Sequence, residues 1–133
     1  MNWISWDEAH RTGHAGMDAS HRKLIDLVNQ LADAMQNDKP KEFCSKVLDQ
    51  FIEDAKSHFA AEEILMDARQ YPKARQHKAM HEMMLKDVLS FKASYDAGET
   101  AEFTTLLVIL DNWLARDIAM ADKALAAFVA AVG

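Results

Sequence analysis

The stretch HKAMHEMMLKDVLSFKASY, residues 77–95, repeats apolar side chains such as Met84 and Val88 at intervals of three or four residues. This spacing is typical of the buried face of an α-helix. His77 and His81 continue the same row, because residues four apart lie one above the other on a helix. The stretch therefore predicts a helix whose inward face is apolar at one end and carries two imidazoles at the other.

The composition favours helix along the rest of the chain as well. Only four Gly and two Pro occur in 133 residues, while Ala, Leu, Lys, Glu and Met are plentiful. Asp18 and Thr100 are candidate N-caps, and Pro40 is tolerated in a first helical turn. We predict four helices, over about residues 18–36, 40–66, 71–96 and from 100 almost to the C-terminus.

Four long helices with short connections predict an all-α fold, an up-down-up-down antiparallel four-helix bundle. Residues 1–17 are predicted to form an irregular N-terminal arm, and about 18–131 the bundle. A chain of 133 residues is long enough to bury one core, so we expect a single domain over 1–133.

The predicted inward faces combine apolar residues with histidines and carboxylates. In each helix the polar residues extend the apolar row at the same spacing, and the alternating helix directions bring them to one end of the bundle. The rows are His21, Leu24, Val28, Leu31 and Met35; Leu48, Phe51, Ala55, His58, Glu62 and Leu65; His77, His81, Met84, Val88, Phe91 and Tyr95; and Phe103, Leu106, Leu110, Trp113 and Asp117.

Charge and hydropathy narrow the classes of partner. Fifteen basic and 21 acidic residues give a net charge of −6, which argues against nucleic acid or an anionic membrane as a partner. The chain has no apolar run long enough to span a bilayer, and its first residues do not resemble a signal peptide. We expect a cytoplasmic protein. A single cysteine, Cys44, excludes an internal disulfide and a thiolate metal cluster.

Four histidines and two carboxylates on one set of inward faces require compensation, since burying them alone is costly. A hydrogen-bonded polar network, or side chains that face solvent, would be the simplest explanation. A metal site explains the convergence better, because metal ions neutralise carboxylates and accept imidazole lone pairs. The ferritin-type Glu-x-x-His pair is absent, whereas His58-x-x-x-Glu62 and His77-x-x-x-His81 are present.

Four stretches together resemble bacterial hemerythrin: MDASHRKLIDLVN (17–29), HFAAEEILM (58–66), YPKARQHKAMH (71–81) and WLARDIAMAD (113–122). The resemblance extends over nearly the whole chain and implies a non-haem di-iron centre inside the bundle.

The resemblance also implies a role for each ligand. His21 and His58 match the two histidines of one iron, and His77 and His81 match two of the three histidines of the other. Oxygen binds in the family at the iron that has two histidines and an open position.

Two carboxylates complete the ligand set that the resemblance implies. Glu62 and Asp122 match the residues that bridge the metals, which also share an oxo or hydroxo bridge in the family.

The fourth helix departs from the family pattern, which reads Trp-Leu-x-x-His-Ile-x-x-x-Asp. The fifth histidine is replaced here by Asp117. Asp117 either ligates iron directly, or makes an outer hydrogen bond that leaves a vacancy or a water, or costs the protein a working site. On a regular helix Asp117 and Asp122 point about 140° apart, so we expect a π-bulge between them.

Other residues near the site receive simpler interpretations. Leu24, Val28, Phe59 and Trp113 are predicted to line the oxygen pocket. Glu63 is interpreted as a helix-surface charge, since it is rotated 100° from Glu62. The methionines are interpreted as core filler, namely Met66, Met80, Met83, Met84 and Met120.

These features favour reversible oxygen binding, for carriage, storage or delivery, in a protein that we expect to be monomeric. Nitric oxide and peroxide are further candidate ligands. A di-iron oxidase or peroxidase is the alternative enzymatic interpretation, and Asp117 favours it. A third alternative is a sensor of oxygen, nitric oxide or redox state that acts through a separate partner.

Overall fold

The fold is an antiparallel four-helix bundle, as the sequence predicts. It is seen in a computed structural model that describes residues 6, 8–98 and 103–132. The helical elements are a short 3-10 turn (Glu8–His10), α1 (Ala15–Gln36), α2 (Lys41–Ala68), α3 (Ala74–Asp96), α4 (Phe103–Asn112), a π-helical segment (Trp113–Asp122) and α5 (Lys123–Val132). The last three together form the fourth helix of the bundle. α1 packs on α2, α2 on α3, and α3 on the fourth helix.

The first helix begins earlier than predicted, and Asp18 is not its N-cap. His14 caps the helix instead, because its backbone is extended and its Nδ1 accepts a hydrogen bond from the backbone N–H of Met17 at 3.2 Å. The carboxylate of Asp18 turns back towards the arm, where it accepts from the backbone N–H and the hydroxyl of Thr12 at 2.9 and 2.8 Å. Gly13 donates to it as well, at 3.3 Å.

Asp18 should therefore stabilise the junction between the arm and α1. Replacing Asp18 with Ala removes these hydrogen bonds, so we expect the free energy of unfolding in urea to fall by about 1 kcal/mol. Asp26→Ala, an exposed site on the same helix, should change it by less than about 0.5 kcal/mol. Equal losses in the two variants would contradict this role.

The contribution of Asp18 to the free energy of unfolding should depend on pH. Burial opposes ionisation, but the hydrogen bonds from Thr12 and Gly13 hold the pKa of the Asp18 carboxyl below its ordinary value of 3.8. A lowered folded-state pKa stabilises the protein above the unfolded-state pKa, and this stabilisation is lost as the pH falls below it. The difference between the wild type and Asp18→Ala should therefore shrink below about pH 4.

The second and third helices lie close to their predicted bounds. α2 ends at Ala68, two residues beyond the prediction, and α3 begins at Ala74, after a turn that contains Tyr71. The proposed cap Thr100 lies outside the described residues. Within the described part of the chain, no helix has the length and apolarity that crossing a membrane requires.

The fourth helix contains the distortion that the two aspartates require. The π-helical segment Trp113–Asp122 interrupts it between α4 and α5. Hydrogen bonds from i to i+5 place residues five apart on one face, so both Asp117 and Asp122 point inward and are buried. The predicted π distortion is confirmed.

Apolar residues surround the polar end of the bundle on both sides. The main core includes Leu24, Phe59 and Ile118, and a smaller cluster includes Met17, Met66 and Leu125. His21, Glu62 and Asp122 each lie between these clusters along their own helices. The polar residues therefore form a layer between two apolar layers, which restricts the access of water.

The interpretation of the methionines as core filler holds for only part of the set. Met66 and Met84 are buried, but Met83 and Met120 are 64% and 69% exposed. Met80 is intermediate. The two exposed side chains lie off the inward row of their helices, so they lack the packing partners that the core interpretation assumed.

Candidate metal centre

All seven predicted metal ligands are buried side chains of the bundle interior. Each is at most 6% exposed, although buried charged groups are rare in proteins. They come from all four helices: His21, His58 and Glu62, His77 and His81, and Asp117 and Asp122.

Glu62 lies at the middle of the cluster. Its Oε1 is 3.0 Å from Nε2 of His77 and 3.1 Å from Nε2 of His81. Its Oε2 is 2.5 Å from Nε2 of His58 and 3.7 Å from Nε2 of His21. Each oxygen of this carboxylate thus faces a different pair of histidines.

Asp122 connects the two halves of the cluster in the same way. Its Oδ2 is 2.8 Å from Nε2 of His21, and its Oδ1 is 2.8 Å from Nε2 of His77. Glu62 and Asp122 are therefore common to two groups of possible metal donors, each with all its donor atoms within 4.8 Å of one another. The groups are His21, His58, Glu62 and Asp122, and Glu62, His77, His81 and Asp122.

Nε2 of His77 and of His81 are within hydrogen-bond geometry of Oε1 of Glu62, but several other donor atoms approach one another without forming ordinary hydrogen bonds. Among the described residues, both ring nitrogens of His21, Nε2 of His58, Oε2 of Glu62 and both oxygens of Asp122 are buried and have no partner of hydrogen-bond geometry. Lone pairs that converge on a common point produce short contacts with poor hydrogen-bond angles. A nitrogen and oxygen donor set without sulfur fits iron, among other divalent metals. The residues present thus fit a pair of metal ions.

The charges of the cluster compensate one another. Burial alone would lower the pKa values of His21 and His77, but the closely placed carboxylates of Asp122 and Glu62 raise both to about 9. Burial likewise opposes ionisation of Glu62, yet the four surrounding imidazoles hold its pKa far below the ordinary range. The metal-free cluster thus combines imidazolium with carboxylate, and a bound metal would displace these protons.

Asp117 lies beside the cluster but belongs to neither group of donors. It is buried, and its Oδ2 has no hydrogen-bond partner among the residues that the structure describes. Burial and then the negative charge of Asp122 raise the pKa of Asp117 to about 7, although His81 and His77 oppose the increase. Asp117 therefore has an oxygen that no group in the described residues satisfies, next to the second half of the cluster.

Two of the four predicted pocket residues contact the histidines. Phe59 stacks on the ring of His81, with a centroid distance of 4.0 Å, and Trp113 meets the ring of His21 edge-on at 6.3 Å. Leu24 and Val28 are buried in the main core. Their role as walls of an oxygen pocket stays a prediction.

Glu63 is a site residue that the sequence interpretation missed. It is not only a surface charge, because its Oε2 lies 3.2 Å from Nδ1 of His81. A carboxylate on the outer nitrogen of a metal-binding histidine fixes the orientation of the ring. The core spacing could not reveal this contact, and the only signal was the position of Glu63 directly after Glu62.

Comparisons with known proteins agree on one family. The hemerythrin HHE cation binding domain matches residues 12–129. A bacteriohemerythrin of Stenotrophomonas maltophilia is 32% identical over 126 residues, 95% of this chain and 81% of the relative. One from Ralstonia nicotianae is 31% identical over 133 residues, 100% of this chain and 93% of the relative. A crystal structure of a hemerythrin mutant superposes with a TM-score of 0.87 at 25% identity, covering 97% of this chain and 98% of the other.

Proposed function

The chain belongs to the hemerythrin HHE cation-binding family, and on that premise we propose that it holds two non-haem iron ions and binds dioxygen. One observation carries the proposal: two groups of four buried donors share Glu62 and Asp122. Such an arrangement supports two metals with two carboxylates between them. When bound, a ferrous pair would supply the electrons for oxygen binding.

Each half of the cluster would hold one metal. His21 and His58 would bind the first, and His77 and His81 the second, through the Nε2 atoms that already face the carboxylates. The Nδ1 atoms then remain for outer contacts, such as that of His81 with Glu63. Each half has two histidines of its own and shares the two carboxylates, so a further donor on the second half would leave the first half with more room for an added ligand.

We propose Asp117 as the seventh donor, on the side of the second metal. Its burial and its unpartnered oxygen support this role, and an oxygen ligand suits iron. Since Asp117 lies outside both groups of donors, its side chain would have to rotate towards the metal.

Iron content tests the proposal directly. The purified protein, reconstituted with ferrous iron under anaerobic conditions, should bind about two irons per chain. Elemental analysis gives this value, and circular dichroism checks that the protein is folded. A reproducible content near zero in a folded protein would contradict the metal centre. Oxygen binding is tested separately, by an optical change on adding oxygen that reverses when oxygen is removed.

Oxidase or peroxidase activity is a second candidate function, and Asp117 is the observation that favours it. An added carboxylate beside the irons would favour their ferric state and so oppose reversible oxygen binding. Sustained oxygen or peroxide consumption with an added reductant would support the enzyme, whereas a single reversible binding event would support carriage.

Glu63 should tune the affinity of the second metal. Replacing it with Gln removes the negative charge next to Nδ1 of His81 but leaves an amide oxygen to accept a hydrogen bond. We expect about a tenfold loss of metal affinity, measured by competition with a chelator. Glu82→Gln, an exposed site on α3, is the control. Equal affinities in the two variants would contradict the positioning role.

A further inference from the structure

A cleft of about 520 Å³ lies on the surface of the bundle, between the beginning of α3 and the fourth helix. Apolar side chains form most of its wall, namely Tyr71, Met80, Met120, Ala121 and Ala124. Small-molecule pockets typically have volumes of roughly 300–1,000 Å³ and a mostly apolar lining. The cleft therefore has the size and the surface of a site for a small organic molecule.

Two positively charged side chains, Lys73 and Arg116, belong to the same wall. Both are exposed, and neither forms an ion pair with a carboxylate of the described residues. Long side chains of this kind can move their charged ends over a cleft that their residues line. The other exposed polar residue of the wall, Gln76, is neutral. The rim of the cleft is therefore positively charged, although the chain has a net charge of −6.

The acidic groups of this region lie in the metal centre and not in the cleft. No Asp or Glu is among the described residues that line the cleft. His77 does line it, and its Nε2 is 2.8 Å from Oδ1 of Asp122 and 3.0 Å from Oε1 of Glu62, where the histidines of the cluster compensate both charges. Asp117 lines a neighbouring cavity instead. The described wall of the cleft thus favours an anion over a cation.

A carboxylate with an apolar chain matches both features of the cleft. The planar guanidinium of arginine can bind a carboxylate through two parallel hydrogen bonds. Methionine side chains are flexible and adapt to apolar groups of different shape.

We propose that this cleft binds a small amphipathic carboxylate. Its anion pairs with Lys73 and Arg116, and its apolar chain lies against Met80 and Met120. This site goes beyond oxygen binding and does not depend on iron.

Three ligands test the two features separately. Octanoate and 1-octanol have the same chain length but differ in charge, and acetate keeps the charge without the chain. Calorimetric titration of each into metal-free and iron-loaded protein measures their affinities. At low salt we expect octanoate to bind about tenfold more tightly than 1-octanol in both forms, because two exposed ion pairs contribute modestly. Acetate should bind at least about tenfold more weakly than octanoate, since it buries almost no apolar surface.

Added salt should reduce the preference for octanoate over 1-octanol, because salt screens exposed charges. Equal binding of octanoate and 1-octanol at low salt, or of octanoate and acetate, would overturn the proposal. So would binding of octanoate only to the iron-loaded protein with a new charge-transfer band, which would mean coordination to iron.

Substitution of the two cations tests their role. Arg116→Gln and Lys73→Gln should each weaken octanoate about threefold, and the double variant about tenfold, with 1-octanol little changed. Lys86→Gln removes the same charge from an exposed lysine on α3 that does not line the cleft, so it is the matched control. An octanoate affinity in the double variant equal to that in Lys86→Gln would overturn the proposal.

Filling the cleft tests its location. Ala124 is an exposed residue of the wall, and Ala124→Trp should occupy the space and weaken octanoate about tenfold or more. Ala130→Trp, at an exposed site of α5 that does not line the cleft, should leave the affinity unchanged. Unchanged affinity in Ala124→Trp would overturn the proposal, because octanoate would then bind elsewhere.

Discussion

Glu62→Ala should abolish the binding of both irons. This carboxylate contacts all four histidines of the cluster, within 2.5 to 3.7 Å, and belongs to both groups of donors. Its removal would take one donor oxygen from each metal and one negative charge from the pair. We therefore expect an iron content near zero, whereas Asp117→Ala should retain most of its iron because Asp117 lies outside both groups.

The loss of iron should also appear in the stability of Glu62→Ala. Metal that binds only the native state stabilises it by about 4 kcal/mol when free metal is a thousandfold above its Kd. The wild type should show an iron-dependent increase in Tm, measured against a chelator-treated sample, and Glu62→Ala should show none. The chelator-treated samples separate this effect from the loss of the buried ion pairs.

Glu53→Ala is the matched control for this experiment, since Glu53 is an exposed glutamate on the same helix. It should keep both the iron and the iron-dependent increase in Tm. Iron retention in Glu62→Ala equal to that in Asp117→Ala would contradict the central role of Glu62.

Asp117→His should prolong reversible oxygen binding by on the order of a hundredfold. An ionised Asp117 next to the metals lowers the charge of the centre by one, which favours the ferric over the ferrous state. Two unit charges ~5 Å apart at an effective dielectric constant of ~20 interact by about 3 kcal/mol, or roughly two orders of magnitude in equilibrium. Histidine removes this charge and restores the ligand set of the family.

Asp117→His should also prolong reversible oxygen binding if Asp117 does not ligate iron in the wild type. A vacancy at the second metal would then admit water or small anions, which also promote oxidation. Asp117→Asn helps to separate the two routes, since it removes the charge but supplies no imidazole. If the wild type loses its reversible oxygen response faster than Asp117→Asn does, the charge of Asp117 promotes oxidation. If the two lose it at similar rates, the vacancy at the second metal promotes oxidation.

Stopped-flow spectroscopy tests whether Asp117→His prolongs reversible oxygen binding. Each reduced protein is mixed with oxygen, the oxygen is then removed, and the fraction that returns to the reduced spectrum is followed over time. A fully reversible and equally persistent response in the wild type and Asp117→His would contradict the prediction. Plain oxygen carriage would then be the better interpretation.

The sequence by itself determined the bundle, because helix periodicity is a local property. Residues three and four apart share a face in any α-helix, so the inward rows could be identified without coordinates. The convergence of six donors followed from the same spacing together with the alternation of helix directions. Even the π-helical distortion was predictable, since two inward aspartates five residues apart cannot share a face of a regular helix.

The tertiary structure alone decided the contacts between elements, because they depend on distances and rotations that the helix period does not specify. Glu63 of α2 contacts His81 of α3, although its position on α2 indicated only a surface charge. Asp18 binds the arm instead of capping α1, because His14 already occupies the cap. Likewise, a cavity lined by Met83 and Met84 of α3 and by Trp113 of the fourth helix exists only because the packing of the two helices leaves space between them.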